Sequence, residues 1–332
     1  MADLELSLAC WSYDRTRALM DGSVKPEGIA LKYESLFPAA TFQRVMGQHE
    51  FDACELGLTF YLDSLHHDDP PFVAIPVYPI RVFSHSSIYI NNKCDIGRPQ
   101  DLVGKRIGEF FLYGHDAGTW AKGILADDYG VPVDSYSNYI GGVERPTPPL
   151  EWYRQKPPPH IKVQHIGTGT TLDKMLDAGE IDALFSALVP HSLQAKSPNV
   201  QRLFPDFEAV ERDYYKRTGI FPIQHIVAIR KDVYRRNPWV AQSLFDAFSH
   251  ARDNAYEMYR YQAGNMHRMF MIPWITQHCL EMQALLGDDW FSYGLKKNHK
   301  SLDTFLRYHY EQGLSKRRFK PEDLFVPELL DT

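Results

Sequence analysis

Cysteine is scarce in this chain. Its 332 residues hold four, Cys10, Cys54, Cys94 and Cys279, each isolated and none in a C-x-x-C spacing. That argues against a disulfide framework or a structural zinc site and suits a reducing cytoplasm. No run approaches the ~20 apolar residues of a membrane span, so a soluble chain without a membrane partner is expected. The opening MADLELSLACWSYDRTRALM lacks a basic leader, an apolar h-region and a small-residue cleavage site, so a secretory signal is not expected. A net charge of −6 and no basic run flanked by aromatics make nucleic acid an unexpected partner. There is no glycine-rich phosphate loop, no serine-nucleophile elbow and no internal repeat. The GTGTT at 167–171 reads instead as a helix-capping turn.

What is present is an alternating pattern. With 44% hydrophobic residues the chain is long enough for one large domain or two lobes. Aromatics at 13% and 14 histidines are compatible with a pocket for a planar ligand, although a plain core accounts for most of them equally well. Strand patterns fall at 4–10, 30–34, 52–56 and 72–77. Between them 16–21, 40–48 and 59–65 have helical spacing. Such alternation predicts a mainly parallel sheet with helices on its faces. A second unit begins near Asn91. Its turn at 101–108 feeds a strand ending near Glu109, a helix runs from about Gly118 to Tyr129, and strands follow at 163–166 and 181–185. Between those two strands Thr170 is the expected cap of a helix that ends at Gly179.

The third stretch starts with the apolar run IFPIQHIVAIR at 220–230. Asn237 and Pro238 have the chemistry of an N-cap and first helical position, and helical spacing then continues to about Tyr261. Further helices are expected at 275–286 and 302–310. The segment 141–160 holds six prolines, which neither helix nor central strand tolerates, so it is a long surface loop, either a linker or a cover over a cleft.

Several of these stretches resemble known families. DLVGKRIG at 101–108 and AGEIDALFSA at 178–187 resemble the segments that open and close the second lobe of type II periplasmic-binding-protein folds. The extended runs 84–91 and 221–230 stand where such a protein crosses between lobes. More narrowly, YPIRVFSHSSIYIN, GTTLDKMLDAGEIDAL, VQRLFPDFEAVERDYYKRTGIFPI and the NPWVAQSLFDAF helix resemble the 4,5-dihydroxyphthalate decarboxylase family. The resemblance covers roughly residues 4–260. It implies an α/β, two-lobed fold with mainly parallel sheets, helices on both faces and a helical C-terminal extension. Lobe one would hold 1–87 and 228–332, lobe two 88–227, with a ligand cleft between them. It also implies a carboxy-lyase of bacterial phthalate breakdown.

Ligands of such scaffolds bind at the carboxyl ends of strands, which selects the candidates. Trp11, Tyr13 and Arg15 follow the first strand and Glu55 ends the third. Arg81, Ser84, His85 and Ser86 follow the fourth. Glu109, Gly118, Thr119 and Trp120 belong to the second lobe, and His225 to the returning crossover. For a dihydroxyphthalate, one carboxylate leaves and one stays. Arg81 is the first choice of clamp for the retained group and Arg15 the second. Backbone N–H groups at Gly118 and Thr119 are further carboxylate donors. Ionising the hydroxyl para to the departing carboxylate makes the ring its own electron sink, so no organic cofactor is required. His85 and His225, expected to face each other, suit the acid and base roles, with Glu55 as base or orienter.

Each assignment has a plainer rival. Arg81 could be a surface ion-pair residue, His85 and His225 satisfied structural histidines, Glu55 a partner of a nearby cation, and Trp11 and Trp120 core. His66-His67-Asp68-Asp69 is rich in metal ligands but precedes Pro70-Pro71 as a solvated loop, and His267, His278 and Cys279 lack a partner one helical turn on. No metal site is predicted, and a divalent ion gathered from distant residues is left open. The rival functions are a solute-binding receptor for an aromatic carboxylate and a decarboxylase of another hydroxylated aromatic acid. The expected partner is a small aromatic dicarboxylate, and the C-terminal helices are compatible with a homo-oligomer.

Overall fold

The computed structural model describes residues 3–264 and 270–332, with the side chains of 261–264 outside the description. His267 therefore lies outside the described residues. In chain order the first elements are β1 (Leu4–Ala9), α1 (Arg17–Met20), β2 (Ile29–Glu34), α2 (Pro38–Gln48), β3 (Ala53–Gly57), α3 (Leu58–Ser64) and β4 (Phe72–Ile75). They are followed by β5 (Ile88–Asn91), β6 (Arg106–Phe110), α4 (Asp116–Tyr129), β7 (Ser137–Gly141), β8 (Val163–His165) and α5 (Leu172–Ala178). Next come β9 (Ala183–Phe185), α6 (His191–Gln194), β10 (Val200–Arg202) and α7 (Phe207–Thr218). The chain finishes with β11 (His225–Arg230), α8 (Lys231–Arg236), α9 (Val240–Gly264), α10 (Ile275–Leu286) and α11 (His299–Glu311).

Two compact units result. The first comprises Met1–Arg81, His225–Lys300 and Lys320–Thr332, the second Val82–Gln224 and Ser301–Phe319. The first unit's sheet has the order β2-β1-β3-β11-β4. β1 pairs parallel with β2 and β3, whereas β11 enters antiparallel between β3 and β4. β2 alternates buried and open residues, as an edge strand with one covered face does. β3 is buried throughout and β11 in all but its last residue. A side chain on β3 or β11 therefore meets protein on every side.

The second unit's sheet runs β10-β5-β9-β6-β7-β8, with β5 antiparallel to both neighbours and β6, β7, β8 and β9 parallel. Both faces are covered. Ile88, Ile90, Ile107 and Phe185 pack with Ala121 and Leu125 of α4, while Tyr89 and Leu184 pack with Leu172 and Leu176 of α5. Both sheets are mixed, with the antiparallel pairings made by strands that enter from distant parts of the chain.

Several expectations shift. Residues 85–87 form a single 3-10 turn, and β5 starts only at Ile88. The run at 220–230 is strand only from His225. Thr171, not Thr170, caps α5, its side chain accepting from the Lys174 N–H at 3.4 Å. Asn237 and Pro238 precede the helix in a turn, with the Val240 N–H bonded to the Asn237 carbonyl. β7 and β10 carry too little apolar periodicity to stand out in the sequence, and α7 is a helix not among those expected. Residues 301–319, expected with the first lobe, belong to the second unit. There Phe305 and Tyr308 pack on Trp120, and Leu314 joins Tyr113 and Ile161 in a small core. The proline-rich loop stays within the second unit, where Pro158 lies against Gly313.

Gly123 on α4 shows how closely this segment packs. A Cβ there would come within 2.2 Å of the Tyr308 ring. Gly123→Ala is therefore expected to destabilise the protein by about 1–3 kcal/mol, the usual cost of overpacking. A denaturant melt that matches wild type would show that Tyr308 is not held there.

Candidate functional site

The first unit brings three strands' residues onto one buried carboxylate. Val227 on β11 is registered opposite Glu55 on β3, which puts His225 on the same face, one diagonal step away. Parallel pairing of β1 with β3 brings Cys10 and Trp11 alongside the same residue. Glu55 is fully buried. Its Oε1 accepts the Tyr13 hydroxyl at 2.7 Å and faces His225 Nδ1 at 2.6 Å; its Oε2 accepts the Trp11 N–H at 3.1 Å and the Cys10 thiol at 3.5 Å. Burial by itself would raise its pKa. The His225 ring, the Tyr13 hydroxyl and the Trp11 amide outweigh that and hold it below the usual carboxylate range. Burial and the negative Glu55 push the Tyr13 hydroxyl and the Cys10 thiol upward, so both stay protonated.

An ionised Glu55 accepting from Nδ1 fixes the imidazole tautomer. The His225 ring is held edge-on by Phe42, 5.2 Å between centroids. Arg15 sits beside this group with its guanidinium between the Tyr13 and Phe291 rings, 4.2 and 4.4 Å from their centroids. It donates through Nε at 2.7 Å and also through Nη2 to the Pro79 carbonyl, and through Nη1 to Asp14 at 2.9 Å. A guanidinium carries more N–H donors than these contacts use. Trp11 is 40% exposed, so it is not core.

Arg81 has a different setting. Its Nη2 donates to the Ser292 carbonyl at 2.6 Å and to Asn298 Oδ1, and burial pulls its pKa down to about 10. This guanidinium ties 292–298 to the strand region.

The second unit holds Ser84, Ser86, His85, Glu109, Gly118, Thr119 and Trp120. His85 belongs to the second unit and Glu55 to the first. Its ring is enclosed edge-on by Phe204, Tyr214 and Tyr129, at 5.1, 5.4 and 6.2 Å, and neither ring nitrogen has a hydrogen-bond partner among the described residues. Burial pulls its pKa down to about 4, keeping it neutral. Ser84 is buried, and the Ser86 N–H donates to Glu211 at 2.7 Å. α4 begins at Asp116, two residues earlier than expected, so Thr119 is already within the helix with its N–H on the His115 carbonyl. Thr119 is thereby excluded as a backbone carboxylate donor. Gly118 instead makes room for Glu109, whose Oε1 would lie 2.2 Å from an added Cβ. Trp120 is core: it is fully buried and donates from Nε1 to the Ile223 carbonyl at 2.7 Å.

Lys122 was invisible to sequence reasoning. It and Glu109 are both fully buried, with Nζ 2.9 and 2.8 Å from the two carboxylate oxygens and 3.6 Å above the Tyr113 ring. Burial by itself would raise the Glu109 pKa, but the Lys122 charge and nearby His115 hold it low; burial likewise pulls Lys122 below the usual lysine range. The missing signal is that Lys122 interrupts an otherwise apolar helix face, where a paired charge is the one economical explanation. Among the described residues no three His, Cys, Asp or Glu side chains converge as metal ligands, and no helix is long and apolar enough to cross a membrane.

The fold is that of solute-binding proteins. Over 100% of this chain and 94% of its own, a periplasmic sulfonate-binding protein from Methylobacillus flagellatus superposes with a TM-score of 0.56 at 14% identity. The periplasmic aliphatic sulphonate binding protein of Escherichia coli gives 0.54 at 10% identity over 100% of both chains. These likenesses define the class, an α/β protein of the type II periplasmic-binding-protein fold. No family model matches the chain. A 4,5-dihydroxyphthalate decarboxylase of Comamonas testosteroni is 33% identical over 334 residues, 100% of this chain and 99% of that protein. One of Pseudomonas putida is 34% identical over 218 residues, 65% of this chain and 83% of that protein. The chain belongs to the 4,5-dihydroxyphthalate decarboxylase family.

Two outcomes follow for the second unit. Lys122→Met strands a buried carboxylate and should cost about 3–5 kcal/mol in denaturant melts, most of it recovered in Glu109→Leu/Lys122→Met. An unchanged single variant would mean that the pair is not buried. His85 has an unfolded pKa near ~6.5 and a folded one near about 4, so between these the unfolded chain binds the extra proton. Its contribution is complete above about pH 6.5 and is lost as pH falls toward about 4. His85→Phe should flatten that part of the stability–pH curve, and an unaltered curve would refute the assignment.

Proposed function

We propose that the protein is a carboxy-lyase that converts 4,5-dihydroxyphthalate to 3,4-dihydroxybenzoate and carbon dioxide, with its proton chemistry on the first unit. The observation that carries this is the buried, ionised Glu55 bonded to His225, in a chain full-length related to decarboxylases of that name. A carboxylate that fixes one imidazole nitrogen sets up the other for proton transfer.

In the reaction, ionisation of the hydroxyl para to the departing carboxylate raises electron density on the ring carbon that bears it. His225 Nε2 delivers a proton to that carbon. The carbon–carbon bond then breaks, its electron pair restores the aromatic ring, and carbon dioxide leaves. The hydroxyl regains its proton and His225 recovers one from water, so the net change is one proton for one carbon dioxide. Glu55 keeps its negative charge throughout and stabilises the imidazolium that precedes transfer. Arg15 grips the retained carboxylate, and its position between two rings limits the orientations it can take. The substrate ring holds the electrons itself, so this route uses no organic cofactor. Four free cysteines, three of them buried, support a cytoplasmic location.

Purified protein given 4,5-dihydroxyphthalate should release carbon dioxide and form 3,4-dihydroxybenzoate, followed by ultraviolet absorbance. His225→Gln should lower kcat by about 10²-fold or more with KM little altered, whereas Arg15→Met should act chiefly on KM. Tight binding without turnover by wild type would overturn the enzyme reading. A near-normal kcat for His225→Gln would overturn the residue assignment alone.

A further inference from the structure

Beside the Glu55 group the first unit displays two large aromatic side chains to solvent. Trp11 is 40% exposed and Phe37 is 45% exposed; their rings meet edge to face at 5.3 Å, and Trp11 meets Tyr13 in the same way at 5.6 Å. Singly exposed aromatics are ordinary, but these two are contiguous with each other and with the hydroxyl that bonds Glu55.

Both are held from rigid backbone. Trp11 donates its N–H to Glu55 at 3.1 Å, and its carbonyl accepts the Tyr33 hydroxyl at 2.9 Å and the Thr16 hydroxyl at 3.1 Å. Phe37 caps α2, ahead of Pro38 at the first helical position. Its backbone is extended at φ −59° and ψ 136°, and its carbonyl accepts the N–H groups of Ala40 at 2.9 Å and Thr41 at 3.1 Å. Surface side chains on fixed backbone, with edges and faces already set at right angles, are preorganised for a flat apolar partner. Folding itself gains little from them in this position.

We propose that Phe37, with Trp11, is the specificity wall of this site: it packs against the substrate's aromatic ring and distinguishes a benzene dicarboxylate from a saturated one. The inference rests on the reading of Glu55 and His225 as the reaction centre and adds what selects the ring. Neither residue exchanges a proton. Phe37 is a positioning residue whose loss is felt in affinity for the ring.

Titration calorimetry with two non-reacting probes tests it, phthalate and cis-cyclohexane-1,2-dicarboxylate, which share the paired carboxylates and differ in the ring. Wild type should bind phthalate more tightly. Phe37→Ala should weaken phthalate about tenfold while the saturated diacid changes less than threefold, and KM for 4,5-dihydroxyphthalate should rise about tenfold with kcat within about threefold. Phe37→Ala and Phe37→Leu should both melt close to wild type, and Phe37→Leu, which keeps apolar bulk without a ring face, should restore only part of the preference. Equal loss for both diacids, loss confined to kcat, or no binding of either diacid by wild type would overturn the proposal. Phe37-dependent phthalate binding without any turnover of 4,5-dihydroxyphthalate would refute the decarboxylase reading and leave the ring wall standing.

Discussion

A carboxylate without water around it survives only if donors replace that water, and the first unit's chemistry depends on how Glu55 meets this condition. No lysine or arginine lies within ion-pair distance of it among the described residues; instead an imidazole, a phenol, a main-chain amide and a thiol converge on its two oxygens. The thiol, the amide and the phenol come from residues 10–13, and the imidazole comes from β11, 170 positions beyond Glu55. Without β1 or β11 beside β3 the charge would lose these donors, so the strand pairing and the buried carboxylate go together. The same requirement fixes the Trp11 main chain, and through it the direction in which its indole projects.

The second unit meets the same constraint by other means. Glu109 is neutralised by Lys122, and the room for its carboxylate comes from a glycine on the facing turn of α4. A fully balanced pair holds its charge statically, whereas a carboxylate whose chief partner is an imidazole can respond when that imidazole gains or loses a proton. That contrast, more than burial alone, separates a structural ion pair from a group suited to proton transfer. His85 illustrates the remaining case, a histidine kept neutral inside an aromatic cage.

Where periodicity is strong, the sequence was legible. The alternation of 30–34 and the apolar run ending β11 became strands, and the helix at 275–286 matches α10 residue for residue. Glu55, Tyr13, Arg15 and Trp11 were nominated because they end a strand or follow one, and His225 because it lies on the returning crossover; these five come together in the first unit. Short elements such as β7 and β10 lacked the pattern that burial on one face imposes. The expected pairing of His85 with His225 joins residues of different units, His85 of the second and His225 of the first. Arg81 was nominated as a clamp for charge and position, yet the carbonyl that occupies it lies 211 residues away.

By itself the sequence determined the class of architecture, the β–α alternation, and the short list of ionisable and aromatic residues at strand ends, because local periodicity and turn chemistry act over a few residues. Only the tertiary structure decided which of those residues share an environment. Glu55 and His225 stand 170 positions apart and meet at 2.6 Å through the antiparallel entry of β11. Hydrogen bonding and desolvation act through space over a few ångströms, so protonation states rest on contacts that no local pattern encodes.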